Sequence, residues 1–455
     1  MSEIDRSWLR ELMSRELASF RESNPRSFEI FERSRTSLLD GVPMNWMVRW
    51  PGEFPVYVAE ASGAHFSDVD GHTYVDLCLG DTGAMAGHSP EPVVRTLSEQ
   101  AAKGITTMLP AEDAGWVGEE MGRRFGLPLW QFSLTATDAN RWAIRLCRQI
   151  TGRPKILVQN WCYHGSVDET FTQLAEDGTT VLPREGNIGP PVDPAETTRV
   201  VEINDTDALE RELAHGDVAC VLVEPALTNI GIVLPDPGYH DALRELTRRH
   251  GTLLIIDETH TICAGPGGYT KAHGLQPDLL TIGKTIGGGI PIGAYGFTTE
   301  LAERIGDAIE EELSDVGGIG GTLAGNPLSL AAARACLGEV LTDDAFERMI
   351  ALGERFTDGV QSVIDEHGAP WHVTRLGCRA EYLFSPEVAR DGAQAAASGD
   401  AELDRYMHLH ALNRGILLTP FHNMALMSPA TTEADVDRHT EIFREGVGEL
   451  VAGPG

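Results

Sequence analysis

Basic residues are scarce in this chain. Against 68 aspartates and glutamates its 455 residues include 36 lysines and arginines, a formal net charge of −32. That balance repels a phosphate backbone or an anionic membrane and excludes both as partners. It also makes a strongly solvated surface, suited to a salty cytoplasm. Cysteine is sparse: Cys78, Cys147, Cys162, Cys220, Cys263, Cys336 and Cys378 are scattered and never form a CxxC pair. This argues against a disulfide scaffold and against a zinc site, so no metal is expected. No run approaches the ~18 apolar residues of a membrane span. The start, "MSEIDRSWLRELMSRELASF", is acidic and amphipathic and lacks the apolar stretch of a secretory signal. The expectation is a soluble, cytoplasmic protein. Internal repeats and low-complexity linkers are absent as well.

What is present is enough apolar sequence, 42% of residues, to bury a large core in a chain too long for one ordinary domain. Apolar positions Trp8, Leu9, Leu12, Met13, Leu17 and Phe20 fall at helical spacing, and "SNP" then interrupts before a second short helix. Residues 56–79 alternate apolar and polar side chains around the turn "DVDG", which predicts a small β-meander. Further on, "KILVQN", "TRVVEI", "ACVLVEP", "TLLIID", "DLLTIG" and "AYGFTT" are apolar strands separated by helices. That alternation predicts an α/β fold with a mostly parallel sheet covered on both faces. An alanine-rich helix after Pro327, a long helix near 342–367, two or three strands and a final helix from about 432 make an α+β unit. The predicted organisation is an N-terminal arm and meander at 1–79, a large domain at 80–330, and a C-terminal part at 331–455 that joins the arm in a smaller domain. The meander is free to join the sheet of the C-terminal part.

The chemistry is concentrated in "LLIIDETHTICAGPGGYTKAHGLQPDLLTIGKTIGGG". A cofactor that carries a carbonyl on an aromatic ring needs a primary amine, and lysine alone among side chains offers one. Lys284 follows a buried strand and precedes "TIGGG", where backbone can approach a ligand closely. If the cofactor is pyridoxal phosphate, its ring nitrogen needs a carboxylate to stay protonated. Asp257 ends an apolar strand, where open α/β sheets place their ligands. Singly, the lysine reads as a solvated charge and the acid as a helix cap; together they form a specific pair.

These segments resemble the class III (ω-type) aminotransferases of the fold-type I pyridoxal-phosphate enzymes, a family that includes glutamate-1-semialdehyde aminomutase. The resemblance runs over roughly residues 40–445 and includes the Asp-Glu strand, "PD" and Gly-Lys followed by glycines, "DVDGHTYVDL" with "GHSPEPVV", "YHG" and "GGTLAGNPLSLAA". It implies a large domain with a mainly parallel, seven-stranded-type sheet and a smaller α+β domain. It also implies covalent attachment of pyridoxal 5'-phosphate to Lys284, Asp257 at the ring nitrogen, Tyr163 stacked on the ring, and Glu224 and Asn229 on the side of the ring oxygen and substrate. Thr322 inherits the threonine that reaches the phosphate of a neighbouring subunit, so a homodimer with shared sites is implied. The chain departs from the family at two places. "TATDA", Thr135 to Ala139, stands where Ser-Gly-Thr-Glu-Ala is common, leaving the amides of Ala136 and Thr137 and the Thr137 hydroxyl for the phosphate. Thr259 and His260 replace an aliphatic residue and a Gln or Met, and the resemblance puts them against the ring face and the ring's 3'-oxygen. For substrate, "MNWMVRW" places Trp46 and Arg49 at the family's active-site mouth, with Arg379 as the rival carboxylate ligand. Asp81, Thr82, Phe421 and His422 are further rim candidates. The implied activity is transfer of an amino group between a primary amine or amino acid and a keto acid or aldehyde. The alternative within the family is a glutamate-1-semialdehyde-type aminomutase, and outside it a non-catalytic binding protein of the same fold.

Overall fold

Seven apolar segments of the chain pair into one sheet: β1 (Leu129–Ser133), β2 (Lys155–Gln159), β3 (Thr198–Val201), β4 (Val218–Val223), β5 (Leu253–Asp257), β6 (Leu279–Ile282) and β7 (Gly293–Phe297). Their spatial order is β1-β7-β6-β5-β4-β2-β3. The run from β3 through β6 is parallel. β7 lies antiparallel to both β6 and β1. Every residue of β4 and β5 is buried, as expected for strands covered on both faces, and each such Val, Leu or Ile contributes roughly 1.5–3 kcal/mol. The edge strand β1 alternates exposed and partly buried side chains, which is why its segment "LWQFS" has too little apolar run to be read as a strand from sequence.

The structure, a computed structural model, describes residues 4–310, 318–419 and 421–453. It divides into a larger unit, residues 91–346 with 389–397, and a smaller one, residues 1–90, 347–388 and 398–455. The helix that matters most in the larger unit is α1 (Ala136–Thr151), which follows β1 directly. Thr135 caps it by accepting from the Asp138 amide at 3.2 Å, and Gly152 closes it at φ 66°. Its buried face, with Ala139, Trp142, Ala143, Leu146 and Cys147, belongs to the same core as β2, β4 and β5. Gly293 on β7 lets the start of this helix come close: a Cβ there would lie 2.4 Å from the Thr135 carbonyl oxygen.

In the smaller unit the helices Arg6–Ser23 and Pro25–Ser34 match the predicted arm. The meander is three strands, Val58–Ser62, His65–Asp68 and Thr73–Asp76, joined in parallel by Ile416–Leu417. It therefore takes one short strand from the C-terminal part and forms its own sheet. The remaining strands, His372–Leu376, Arg379–Leu383 and Met424–Leu426, form a separate antiparallel sheet. Asp68 closes the "DVDG" turn by accepting from the His72 amide and the Tyr74 hydroxyl at 2.9 and 2.8 Å. Among the described residues no helix is long and apolar enough to cross a membrane.

Candidate active site

The carboxyl ends of β5 and β6 bring the predicted pair together. Asp257 and Thr281 are register partners at the ends of adjacent parallel strands, and Lys284 follows three positions later in a single helical turn, Lys284–Gly287. Lys284 has φ +52°, a left-handed backbone that a non-glycine residue adopts at a cost of roughly 1–3 kcal/mol. Its extended neighbour Gly283 makes room for the adjoining helix, since a Cβ there would lie 2.9 Å from the Ala136 amide nitrogen. The strained lysine and the N-terminus of α1 thus meet across a glycine.

Asp257 is buried and fully engaged. Its Oδ2 accepts from Asn140 Nδ2 at 2.8 Å and from His164 Nδ1 at 2.9 Å, and its Oδ1 accepts from the Thr259 amide at 3.0 Å. Asn140 is itself held by the Thr281 hydroxyl, which donates to its Oδ1 at 2.6 Å. Burial pushes the Asp257 carboxyl up, but the hydrogen bond and charge of His164, with Thr259 and Asn140, outweigh it and hold the group below its ordinary value. Burial acts on His164 in the opposite sense and is also outweighed: Cys162 and Asp257 raise the imidazole to about 10. The result is a buried anion with a cationic partner behind it.

Glu224 lies in the same cluster, its Oε1 accepting from the Tyr163 amide at 3.0 Å and its Oε2 from the Thr228 hydroxyl at 2.5 Å. Burial raises its carboxyl above the ordinary value. Asn229 donates to the Trp161 carbonyl at 3.1 Å. The neighbouring acid Glu258 accepts from Thr261 and from the amides of Tyr269 and Thr270, and so pins the glycine-rich turn that follows. Of the two acids in "DET", only the first points to site chemistry.

The amides of Ala136 and Thr137 open a helix of 16 residues and have no intrahelical acceptor, which leaves them for an anion. The Thr137 hydroxyl accepts from the Ser166 amide at 3.1 Å and keeps its own proton to donate. Gly165 keeps this corner open, because a Cβ there would lie 2.1 Å from Thr137 Oγ1. Tyr163 is 36% exposed, and its ring meets Phe171 edge-on at 6.1 Å. Thr259 is buried, and its Oγ1 has no hydrogen-bond partner among the described residues. A lysine amine, a fixed carboxylate, a stacking ring and an anion cradle suit a phosphorylated aromatic aldehyde. His260 Nε2 lies 2.8 Å from Lys284 Nζ. Thr322 is exposed in a turn. Asn140, His164 and Thr281 were not singled out from sequence, although Asn140 directly follows "TATDA" and His164 sits inside "YHG".

The substrate candidates belong to the smaller unit. Trp46 is 40% exposed on the turn Asn45–Val48. Arg49 is exposed, its guanidinium 6.0 Å from the Phe421 ring centre, and among the described residues it forms no ion pair. Arg379 is fully buried, with Asp81 and Glu381 carboxylates each at 3.7 Å. Glu381 also accepts from His422 Nδ1 at 3.0 Å. Asp81 and Thr82 lie on a strained stretch in which Leu79, Gly80, Asp81 and Thr82 all have positive φ.

A family model described as aminotransferase class-III matches residues 47–447. The glutamate-1-semialdehyde 2,1-aminomutase of Akkermansia muciniphila is 32% identical over 434 residues, which cover 93% of this chain and 99% of that protein. The crystal structure of a glutamate-1-semialdehyde-aminomutase from Pseudomonas aeruginosa PAO1, a lysine-to-alanine variant in complex with PMP, is 49% identical with a TM-score of 0.96, covering 98% of this chain and 99% of its own. An ω-transaminase from Sphaerobacter thermophilus is 28% identical with a TM-score of 0.84, covering 93% and 97% of the two chains.

Two substitutions check the electrostatics. His164 is raised from its ordinary value to about 10, so its proton stabilises the fold fully below about pH 6.5 and that stabilisation is lost as pH rises through about 10. The lowered Asp257 sets the acid limit, its contribution disappearing as pH falls below the ordinary carboxylate range. The stability advantage of the native chain over His164→Asn in urea melts is expected to be greatest near about pH 5–6 and to shrink steadily toward about pH 10; a flat difference would contradict the assignment. Arg379→Ala leaves Glu381 buried beside one fewer cation and is expected to destabilise the chain by about 3 kcal/mol in denaturant unfolding.

Proposed function

The chain belongs to the class III aminotransferase family, and from that premise we propose that it transfers an amino group between a primary amine or amino acid and a keto acid or aldehyde. Its cofactor is pyridoxal 5'-phosphate, which when bound supplies an aldehyde for amines and a ring that takes up electrons. The observation that carries the reading is the convergence of Lys284, Asp257 and the start of α1 at one edge of the sheet. Lys284 Nζ is the covalent attachment point and, once released, the base that takes a proton from substrate carbon and returns it. Asp257, kept ionised by His164 and Asn140, holds the proton on the ring nitrogen. The Ala136 and Thr137 amides and the Thr137 hydroxyl hold the phosphate, and Tyr163 covers one ring face. With the cofactor bound, Thr259 would sit against the ring, with Glu224 and His260 toward its oxygen side.

The exposed guanidinium of Arg49 favours it over Arg379 as the ligand for a substrate carboxylate, because Arg379 already has two acids beside it. Trp46 contributes apolar surface to the same recognition. The active form is a cytoplasmic homodimer in which Thr322 of each copy serves the other's phosphate, a role that its exposure in the single chain supports. Thr322→Ala is expected to raise the cofactor concentration for half-saturation about tenfold, the loss of roughly one charge-assisted hydrogen bond, with unchanged thermal stability of the cofactor-free protein. Full activity in a sedimenting monomer would contradict the shared site.

A second reading, a 2,1-aminomutase, is favoured by the 49% identity to a protein of that name. One experiment separates the two. With transfer, an amine donor alone bleaches the visible absorbance of the holoenzyme, a keto acid restores it, and the amino group appears in the product of that keto acid. Lys284→Ala is expected to abolish turnover in the same assay. Efficient isomerisation of glutamate-1-semialdehyde, with no net transfer to any of a broad panel of keto acids, replaces the first reading by the second.

A further inference from the structure

Holding a cofactor does not require an imidazole on the attaching amine, yet Lys284 Nζ lies 2.8 Å from Nε2 of His260. Neither partner is a loose surface side chain. Both are half-buried. His260 precedes the turn Thr261–Ala264, whose residues Thr261, Ile262 and Cys263 are buried, and its carbonyl accepts from the Cys263 amide at 3.3 Å. Lys284 leaves the chain from a left-handed backbone at φ +52°.

The chemistry of such a pair follows from proton affinity. An ordinary lysine near neutral pH is a free amine in only about one molecule in a few thousand, and only the free amine attacks a carbonyl. Imidazole is the side chain that accepts a proton readily in this range. The acids at these strand ends have hydrogen-bond donors of their own. Asp257 accepts from Asn140, His164 and the Thr259 amide. Glu258 accepts from Thr261, Tyr269 and Thr270, and Glu224 from Tyr163 and Thr228. Asp138, at the start of α1, is bonded to Thr135. The base that the geometry places on the amine is the imidazole of His260, at 2.8 Å.

We propose that His260 is a catalytic residue for cofactor capture, its Nε2 taking the proton of the Lys284 ammonium and releasing the amine to attack the aldehyde carbon. The inference rests on Lys284 as the attachment point. The amine lone pair forms the carbon–nitrogen bond as the carbonyl π pair moves to oxygen. That oxygen leaves as water, carrying one proton from the amine and one from the imidazolium. A carbon–nitrogen double bond with one proton on nitrogen remains, and the imidazole returns to its starting state. The same exchange in reverse serves release.

The test follows capture directly. The full-length chain, freed of cofactor by dialysis against hydroxylamine, is mixed with pyridoxal 5'-phosphate at pH values from about 6 to 10, and the gain of visible absorbance is timed. Borohydride reduction and peptide mapping then identify the labelled lysine. His260→Gln keeps a polar side chain without a proton acceptor of this strength, and His260→Ala removes the contact. Capture by both variants is expected to be slower than native by about tenfold or more near pH 7, and the deficit to shrink as pH rises. Variants that keep the native pH profile, or that are slowed equally at every pH, overturn the proposal, because a group that only positions the lysine acts at all pH values. Labelling of Lys284 with an unaltered profile would leave the reading of the site intact. Labelling of another lysine in the native chain would remove both.

Discussion

A carboxylate kept ionised inside a protein is the constraint around which the larger unit is arranged. Asp257 lies at the end of a strand with every residue buried, where desolvation favours the neutral acid. Three donors prevent that: Asn140 from α1, His164 from the loop after β2, and the backbone of Thr259. Each comes from a different part of the chain, so the charge depends on the parallel stacking of β2, β4, β5 and β6 and on the seating of α1 on them. Thr281 extends the dependence by fixing Asn140 from the end of β6. Loss of any of these placements exposes the acid to the penalty that burial imposes.

Close approach of backbones follows from the same arrangement. For Asn140 to reach Asp257, α1 must start almost against the loop that carries Lys284, and side chains at two positions would block it. Gly283 and Gly293 clear the Ala136 amide and the Thr135 carbonyl. With those positions open, the helix N-terminus, the strained lysine and the carboxylate converge without a long side chain spanning between them. The attachment loop carries its strain at Lys284 itself, which sets the direction in which the side chain leaves the backbone.

Much of this was legible in the sequence, for physical reasons. Strands covered on both faces have to be continuous apolar runs, so β2 through β7 could be read from "KILVQN" to "AYGFTT", whereas the half-exposed β1 could not. Lys284 and Asp257 were legible because a strand-terminal acid followed by an amine just before a run of glycines has few other uses. Asn140, His164 and Thr281 were not: each is an ordinary polar residue whose partner is 117, 93 or 141 positions away, and only the fold brings them together. The contact of His260 with Lys284 was hidden similarly, since the two residues are 24 positions apart and only the fold brings them together. Arg379 reads as a carboxylate ligand in isolation, and its burial beside Asp81 and Glu381 is visible only in three dimensions.

The charge state of Asp257 is therefore the quantity to measure. Infrared difference spectra between the native chain and Asp257→Asn, both grown with carboxyl-labelled aspartate, isolate this one group among the many acids. With or without cofactor, the account predicts the ionised carboxylate bands alone from about pH 5 to pH 9. A protonated carbonyl band from Asp257 at neutral pH would contradict it, because the site would then lack the fixed anion on which its chemistry depends.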